Sequence, residues 1–190
     1  MKSGTEVGRC EVTDQALAEL LAERDIRNQI HNYARAQDRF DTDLFLSVCH
    51  PDCVIDYGGK GGPDKSSPRE AIEIFNNGHT DFASHLHFVS NITIKVVGDR
   101  AVSETYVHAV LRTHEDEDGK STNLHARGRY LDRWSRRDGR WAMDQRLLVN
   151  ELTWRDEAVD GRRGGQGGIP TRDRDDPVYA AFAALDGATA

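Results

Sequence analysis

The sequence predicts an α+β fold in which one curved antiparallel sheet wraps around N-terminal helices and encloses a pocket. Three observations carry this. The hydrophobic period is near 3.6 residues through most of the first 80 positions and then changes to two. Asp138-Gly139, set between two alternating stretches, is a strong two-residue hairpin signal. The 190 residues suit one domain with one core. Helices first and long strands afterwards is the α+β order, without the βα alternation of a parallel sheet.

The elements follow in order. Residues 1–13 read as an N-terminal tail. Leu17, Leu20, Leu21, Ile26, Ile30, Tyr33, Ala34 and Gln37 then recur at helical spacing, with Glu19, Glu23, Arg24 and Arg27 between them, which predicts a helix over 14–39. Thr42 caps a second, short helix over 42–49 that Pro51 stops. Residues 53–57, ending in Tyr57, read as a short strand, and the glycines at 58–62 as a loop. Ser67-Pro68-Arg69-Glu70 spells a capping box with Pro in the first turn, so a third helix runs over 68–77 and ends near Gly78. Strands over 85–97, 101–113, 122–136 and 140–153 complete the main domain, 14–153. The remainder, 154–190, is a C-terminal extension, expected as a lid or dimer arm, with a short helix over 177–185.

Composition narrows the function. Lys+Arg 25 against Asp+Glu 32 gives a net charge of −7, against the basic stripe that nucleic-acid binders carry. No apolar run approaches the ~20 residues of a membrane span. The opening MKSGTEVGRCEVTD lacks an apolar leader segment, so a cytoplasmic location is expected. Three cysteines, Cys10, Cys49 and Cys53, form neither a disulfide framework nor a completed zinc site. Dinucleotide, P-loop, nucleophile-elbow and His-Glu-x-x-His motifs are all missing, so no cofactor and no metal are expected. A small-molecule substrate fits this profile.

The histidines are the unusual feature: six of eight lie between 79 and 125. His85 and His87, two apart in a strand, point to one side. They read as a metal pair, as a catalytic histidine with a neighbour at the cavity mouth, or as two structural histidines. Tyr106 and His108 share one face of the next strand, and Thr105, Val107 and Ala109 share the other. A slip of one residue exchanges the faces, so either set lines the pocket. His114 and His125 read as exposed near a turn, and His31, His50 and His79 as surface or loop residues. Arg146 interrupts an apolar strand: turned inward it suits an enolate or carboxylate, turned outward it pairs with Asp132 or Asp144. Asp38 follows the apolar helix face of Ile30, Tyr33 and Ala34. It either ends the helix in solvent or is buried and paired, and a neutral histidine is a natural partner. Trp134, Trp141 and Trp154 read as core or rim packing.

The segment Arg129-Tyr-Leu-Asp-Arg-Trp-Ser-Arg-Arg-Asp-Gly-Arg-Trp141, with the strand carrying Arg146, resembles the hairpin of the SnoaL-like branch of the nuclear transport factor 2-like superfamily. The likeness covers about residues 14–153. It implies a cone-shaped α+β barrel, commonly dimeric through the outer face of the sheet. Members include scytalone dehydratase, bile acid 7α-dehydratase, ketosteroid isomerase, polyketide cyclases and non-catalytic subunits. Tyr33-x-x-x-x-Asp38 resembles the Tyr and Asp of the bile acid dehydratase type. His87-Phe-Val-Ser-Asn91 resembles the segment carrying the catalytic His in both dehydratases. The polar residue those enzymes place on the following strand is replaced here by Thr105 or Ala109.

The resemblance therefore implies a cofactor-independent lyase acting on a hydrophobic, aromatic or polycyclic alcohol. His87 would abstract a proton, Asp38 would orient it, and Tyr33 would donate a hydrogen bond. Arg146, Tyr57, His85, Tyr106 and His108 are the expected substrate-binding residues. An isomerase or cyclase using the same pocket, and a non-catalytic binding or assembly subunit, are the alternatives. A homodimer or higher homo-oligomer is the expected assembly.

Overall fold

The computed structural model describes residues 13–59, 62–158 and 171–186. The expected tail up to Val12, with Cys10, lies outside the described residues. Helix α1 (Asp14–Asp38) begins where Thr13 accepts a hydrogen bond from the Ala16 amide and ends at Arg39, whose own amide bonds back to Arg35. Helix α2 (Thr42–Val48) is capped by the Asp41 carboxylate on the Leu44 amide, one residue before the Thr expected there. Strand β1 (Cys49–Asp56) starts directly from it. Pro51 thus lies inside a strand. That is tolerated because β1 is an edge strand whose register is interrupted between Cys49 and Val54.

Helix α3 (Pro68–His79) has both bonds of the Ser67–Glu70 capping box. It runs through Gly78 to Thr80, whose amide bonds Asn76 and whose hydroxyl bonds the Asn77 carbonyl. Gly78 does not adopt the left-handed conformation that would stop the helix. This correction moves His79 from a loop onto the helix face that carries Ile72 and Phe75.

Strands β2 (Phe82–Val97), β3 (Arg100–Thr113), β4 (Thr122–Arg137) and β5 (Arg140–Glu157) form antiparallel ladders in chain order. At the β4–β5 turn both Asp138 and Gly139 have positive φ, 52° and 78°, the geometry of the hairpin turn that Asp-Gly favours. The sheet order is β1-β5-β4-β3-β2, and β1 pairs parallel to β5 through Val54–Gln145, Ile55–Arg146 and Asp56–Leu147. The sheet is therefore mixed, where an antiparallel one was expected. The first strand docks beside the last, a pairing that local period cannot reveal. Helix α4 (Pro177–Asp186) lies against the far end of α1, with Tyr179 and Phe182 beneath the Arg35 guanidinium. Among the described residues no helix is long and apolar enough to cross a membrane.

The sheet's inner face and the helices share the core. Ile26, Ile30, Phe45, Val48, Ile55, Ile72, Trp134 and Met143 are almost completely buried. Each such side chain contributes roughly 1.5–3 kcal/mol through burial. Trp134 and Trp141 are core residues, and the Trp134 indole donates to the Ser103 hydroxyl at 2.9 Å. Gly128 is a position of close approach: a Cβ there would sit 2.3 Å from the Val149 carbonyl oxygen. Beside it the β4–β5 register shifts, between Arg127 and Gly128, which opens the sheet next to the cavity.

Candidate active site

Helix α1 crosses the sheet so that its last turn meets the first half of β2. Asp38, which ends α1, is buried there and reaches His87 with both oxygens. Oδ1 lies 2.7 Å from the ring Nδ1, and Oδ2 accepts the His87 backbone amide at 3.2 Å. The two side chains are only 10% and 7% exposed. A carboxylate on Nδ1 places the ring proton there and leaves Nε2 with a free lone pair. His87 lines a cavity of about 370 Å³, so that nitrogen belongs to a group able to act as a base on a bound molecule.

The cavity lies between α3 and the inner faces of the long strands. Ile74, Phe75, Phe82, Val107, Leu111 and Leu148 supply apolar walls. Gln37, Tyr57, His79, Tyr130, Asn150 and Thr153 supply polar groups. An apolar cleft with a few convergent polar groups is the ordinary form of a small-molecule site. The β2–β3 register puts His87 opposite Ala109 and Val89 opposite Val107, so the small residues of β3 face inward and leave room.

The floor is a buried aromatic and ionic stack. The Tyr33 and Tyr57 hydroxyls are 3.2 Å apart. The Arg146 guanidinium lies between the Tyr33 and Tyr130 rings, 3.9 Å from each centroid. It pairs with Asp132 through two 2.7 Å bonds, and neither side chain is exposed. Burial raises the phenols of Tyr33, Tyr57 and Tyr130 well above the usual tyrosine range, although Arg146 opposes it. They remain protonated, as hydrogen-bond donors.

Beside His87 stand two more imidazoles. The His79 ring lies 4.4 Å from His85 and 5.9 Å from His87, centroid to centroid. Burial, then the neighbouring His85, His87 and Arg172, push His79 down to about 3, so it is neutral. His85 is buried, with Nε2 2.9 Å from the Gln37 carbonyl oxygen and Nδ1 2.9 Å from the Arg172 guanidinium. Arginine can only donate, so Nδ1 accepts and Nε2–H donates to that helix-end carbonyl. Burial lowers the His85 pKa.

Several expected site residues take other places. Tyr33 is not among the cavity-lining residues and lies behind Tyr57 and Tyr130, which are. His85 ties the end of α1 to the C-terminal segment and is not part of the cavity wall. Arg146 is not a surface ion pair and is not among the cavity-lining residues; it is a core residue, because Asp132 and two aromatic faces surround it. Tyr106 and His108 lie on the outer face, because strand alternation gives the inner face to Thr105, Val107 and Ala109. His50, expected at the surface, is buried with its Nε2 3.1 Å from the Ser135 carbonyl oxygen. His125 is half-buried, stacked on Trp154 at 4.5 Å.

Gln37, His79, Tyr130, Asn150 and Thr153 are cavity residues that sequence reasoning missed. Two were legible in principle. Gln37 continues the Ile30, Tyr33, Ala34 stripe, and His79 continues Ile72 and Phe75 once α3 is allowed through Gly78. In the C-terminal extension, Arg174 and Tyr179 bind the Asp41 carboxylate and Asp176 pairs with Arg39, which fastens residues 171–186 near the histidines. Among the described residues no group of three or more His, Cys, Asp or Glu is placed to hold a metal ion.

A family model described as a SnoaL-like domain matches residues 18–146. No curated protein matches the sequence. Solved structures of the same fold include a candidate scytalone dehydratase from Novosphingobium aromaticivorans, at 22% identity and TM-score 0.61, covering 72% of this chain and 88% of that one. Hexachlorocyclohexane dehydrochlorinase LinA-type3 from Novosphingobium barchaimii is 17% identical, with TM-score 0.61, over 79% of this chain and 99% of the other. A nuclear transport factor 2-like superfamily protein from Salmonella enterica is 16% identical, with TM-score 0.58, over 78% and 99%. At such identities the likeness is one of fold.

Proposed function

The chain belongs to the SnoaL-like domain family, and we propose that it is a cofactor-independent lyase catalysing acid–base elimination on an apolar ring alcohol. The observation that carries this reading is the buried Asp38–His87 pair at the wall of an apolar cavity. His87 Nε2 takes a proton from a carbon beside an activating group. The C–H electron pair becomes the new double bond, and the hydroxyl leaves as water after receiving a proton. The cation formed on His87 is stabilised by Asp38 and discharges its proton to solvent. Tyr57, protonated and backed by Tyr33, is the donor placed to assist the leaving oxygen. Names among the structural neighbours support elimination chemistry on rings, since a dehydratase and a dehydrochlorinase both form a double bond by expelling a group.

The experiment is mass spectrometry of cyclic β-hydroxy ketones incubated with the protein. Loss of water is expected, slowed roughly 10²–10⁴-fold in His87→Asn. A full rate in that variant removes the base assignment. A product of unchanged mass with solvent hydrogen incorporated moves the reading to an isomerase. We extend the proposal to a homodimer through the outer sheet face, where Leu86, Phe88 and Tyr106 are exposed. Sedimentation of Phe88→Glu against the unaltered protein tests it.

A further inference from the structure

Gln37 is an anomaly in its own helix. It is 1% exposed, yet its side-chain Nε2 meets no hydrogen-bond partner. Buried amides are almost always paired, and an unmet donor is a cost that a bound acceptor removes. The residue lines the cavity one position before Asp38. Its backbone carbonyl is held by His85, which fixes this last turn of α1 beside His87. A second unmet atom lies nearby: Nδ1 of His79, also on the cavity wall, is buried without a partner.

The charged side chains at the end of α1 and beneath the cavity already have polar partners. Asp38 is held by His87, Arg172 by His85, and Arg146 by Asp132. Arg127 also lines the cavity, although it is exposed and shares its register with His108 and Leu152 on the outer face. The phenols of Tyr33 and Tyr57 are within bonding distance of each other. Among the described cavity-lining residues, the buried side-chain atoms left without a partner are Gln37 Nε2 and His79 Nδ1, and the amide nitrogen is a donor.

We propose that the Gln37 amide recognises a carbonyl oxygen of the substrate, so that the cavity selects apolar ring ketones, the hydroxy ketones of the lyase reading included, over rings that lack the carbonyl. This inference rests on the lyase reading for its chemistry. When His87 removes a proton from the carbon next to that carbonyl, the C–H pair forms the C=C bond of an enolate and the carbonyl π pair moves onto oxygen. The Gln37 N–H bond strengthens as that charge develops, and return of a proton from His87 closes the balance.

The probes are 1-tetralone, its alcohol 1-tetralol and the hydrocarbon tetralin, titrated calorimetrically into the full chain. Tetralone is expected to bind about ten-fold tighter than the other two. In Gln37→Met, of similar shape but without the amide, that preference disappears while tetralin binding is retained. The infrared carbonyl stretch of bound tetralone reports the same bond in the unaltered protein, so the test survives if the variant fails to fold. A stretch at its value in hexane, absent tetralone binding, equal binding of the three probes, or a preference that persists in folded Gln37→Met each overturns the proposal.

Deuterium uptake at the tetralone α-carbon separates this from the lyase reading. Gln37-dependent binding with no His87-dependent uptake supports the inference and removes the base. His87-dependent uptake without ketone preference does the reverse.

Discussion

One sheet carries a histidine–aspartate pair on each face, and only one of them is buried at the wall of the cavity. On the inner face Asp38 holds His87 at 2.7 Å by both ring and backbone, at 10% and 7% exposure. On the outer face Asp156 meets His125 at 3.0 Å, at 48% and 14% exposure. The outer pair also extends to His108, 3.0 Å away, and stacks on Trp154. The His125 Nδ1 faces His108, while its Nε2, though 3.0 Å from Asp156, forms no hydrogen bond. The inner pair leaves one nitrogen free toward a cavity. The residues are the same; their reach differs because burial makes the inner carboxylate a fixed partner, while the outer one competes with water.

Ion pairs repeat the contrast. Arg146–Asp132 is fully buried below the cavity, whereas Arg129 bridges Glu104 and Glu151 in partial exposure outside. The largest expected effect is therefore on stability. Arg146→Met strands the Asp132 carboxylate and should cost roughly 3–5 kcal/mol, on the order of 10 °C in Tm. Arg129→Met should leave the melting temperature nearly unchanged. Calorimetric melting of both variants checks this; equal losses would break the contrast between the faces.

Next in size is the effect on rate. Asp38→Asn keeps the shape but removes the charge that orients and stabilises the His87 cation. Turnover of a β-hydroxy ketone should fall about 10²-fold, with Asp156→Asn within about two-fold of the unaltered protein. A comparable loss in both would mean that the outer pair supports the site through the sheet.

The smallest effect is on the acid limb of stability. His79 and His85 are depressed in the folded protein, His79 to about 3, chiefly by burial. The unfolded chain therefore binds protons that the folded one refuses below about pH 6.5. Stability is present above that pH and is lost as pH falls toward 3, with a slope from His79 of at most about 1.4 kcal/mol per pH unit. Urea midpoints between about pH 4.5 and pH 7 should show a shallower fall in His79→Gln. An unchanged slope would show that His79 is not shielded as its burial indicates.

Much of the fold was legible because it is local. The capping box at Ser67–Glu70, the Asp138-Gly139 turn and the two-residue alternation of four strands are each written within a few consecutive residues. The Asp38–His87 pair became an expectation only through family likeness, and its 2.7 Å contact joins residues 49 positions apart. Arg146 shows the opposite case. Its inward direction was one of two readings, but not its burial between Tyr33 and Tyr130, since three distant segments converge there.

The sequence by itself therefore determined element types, most boundaries and the hairpin order, because periodicity, caps and turn chemistry act over a few residues. The tertiary structure alone decided which face of β3 looks inward, that β1 pairs parallel with β5, and that Gln37 and His79 stand beside His87. Those facts depend on register and on helix placement across the sheet. Both are fixed by the packing of the whole core, where a shift of one residue would exchange the cavity wall for the outer surface.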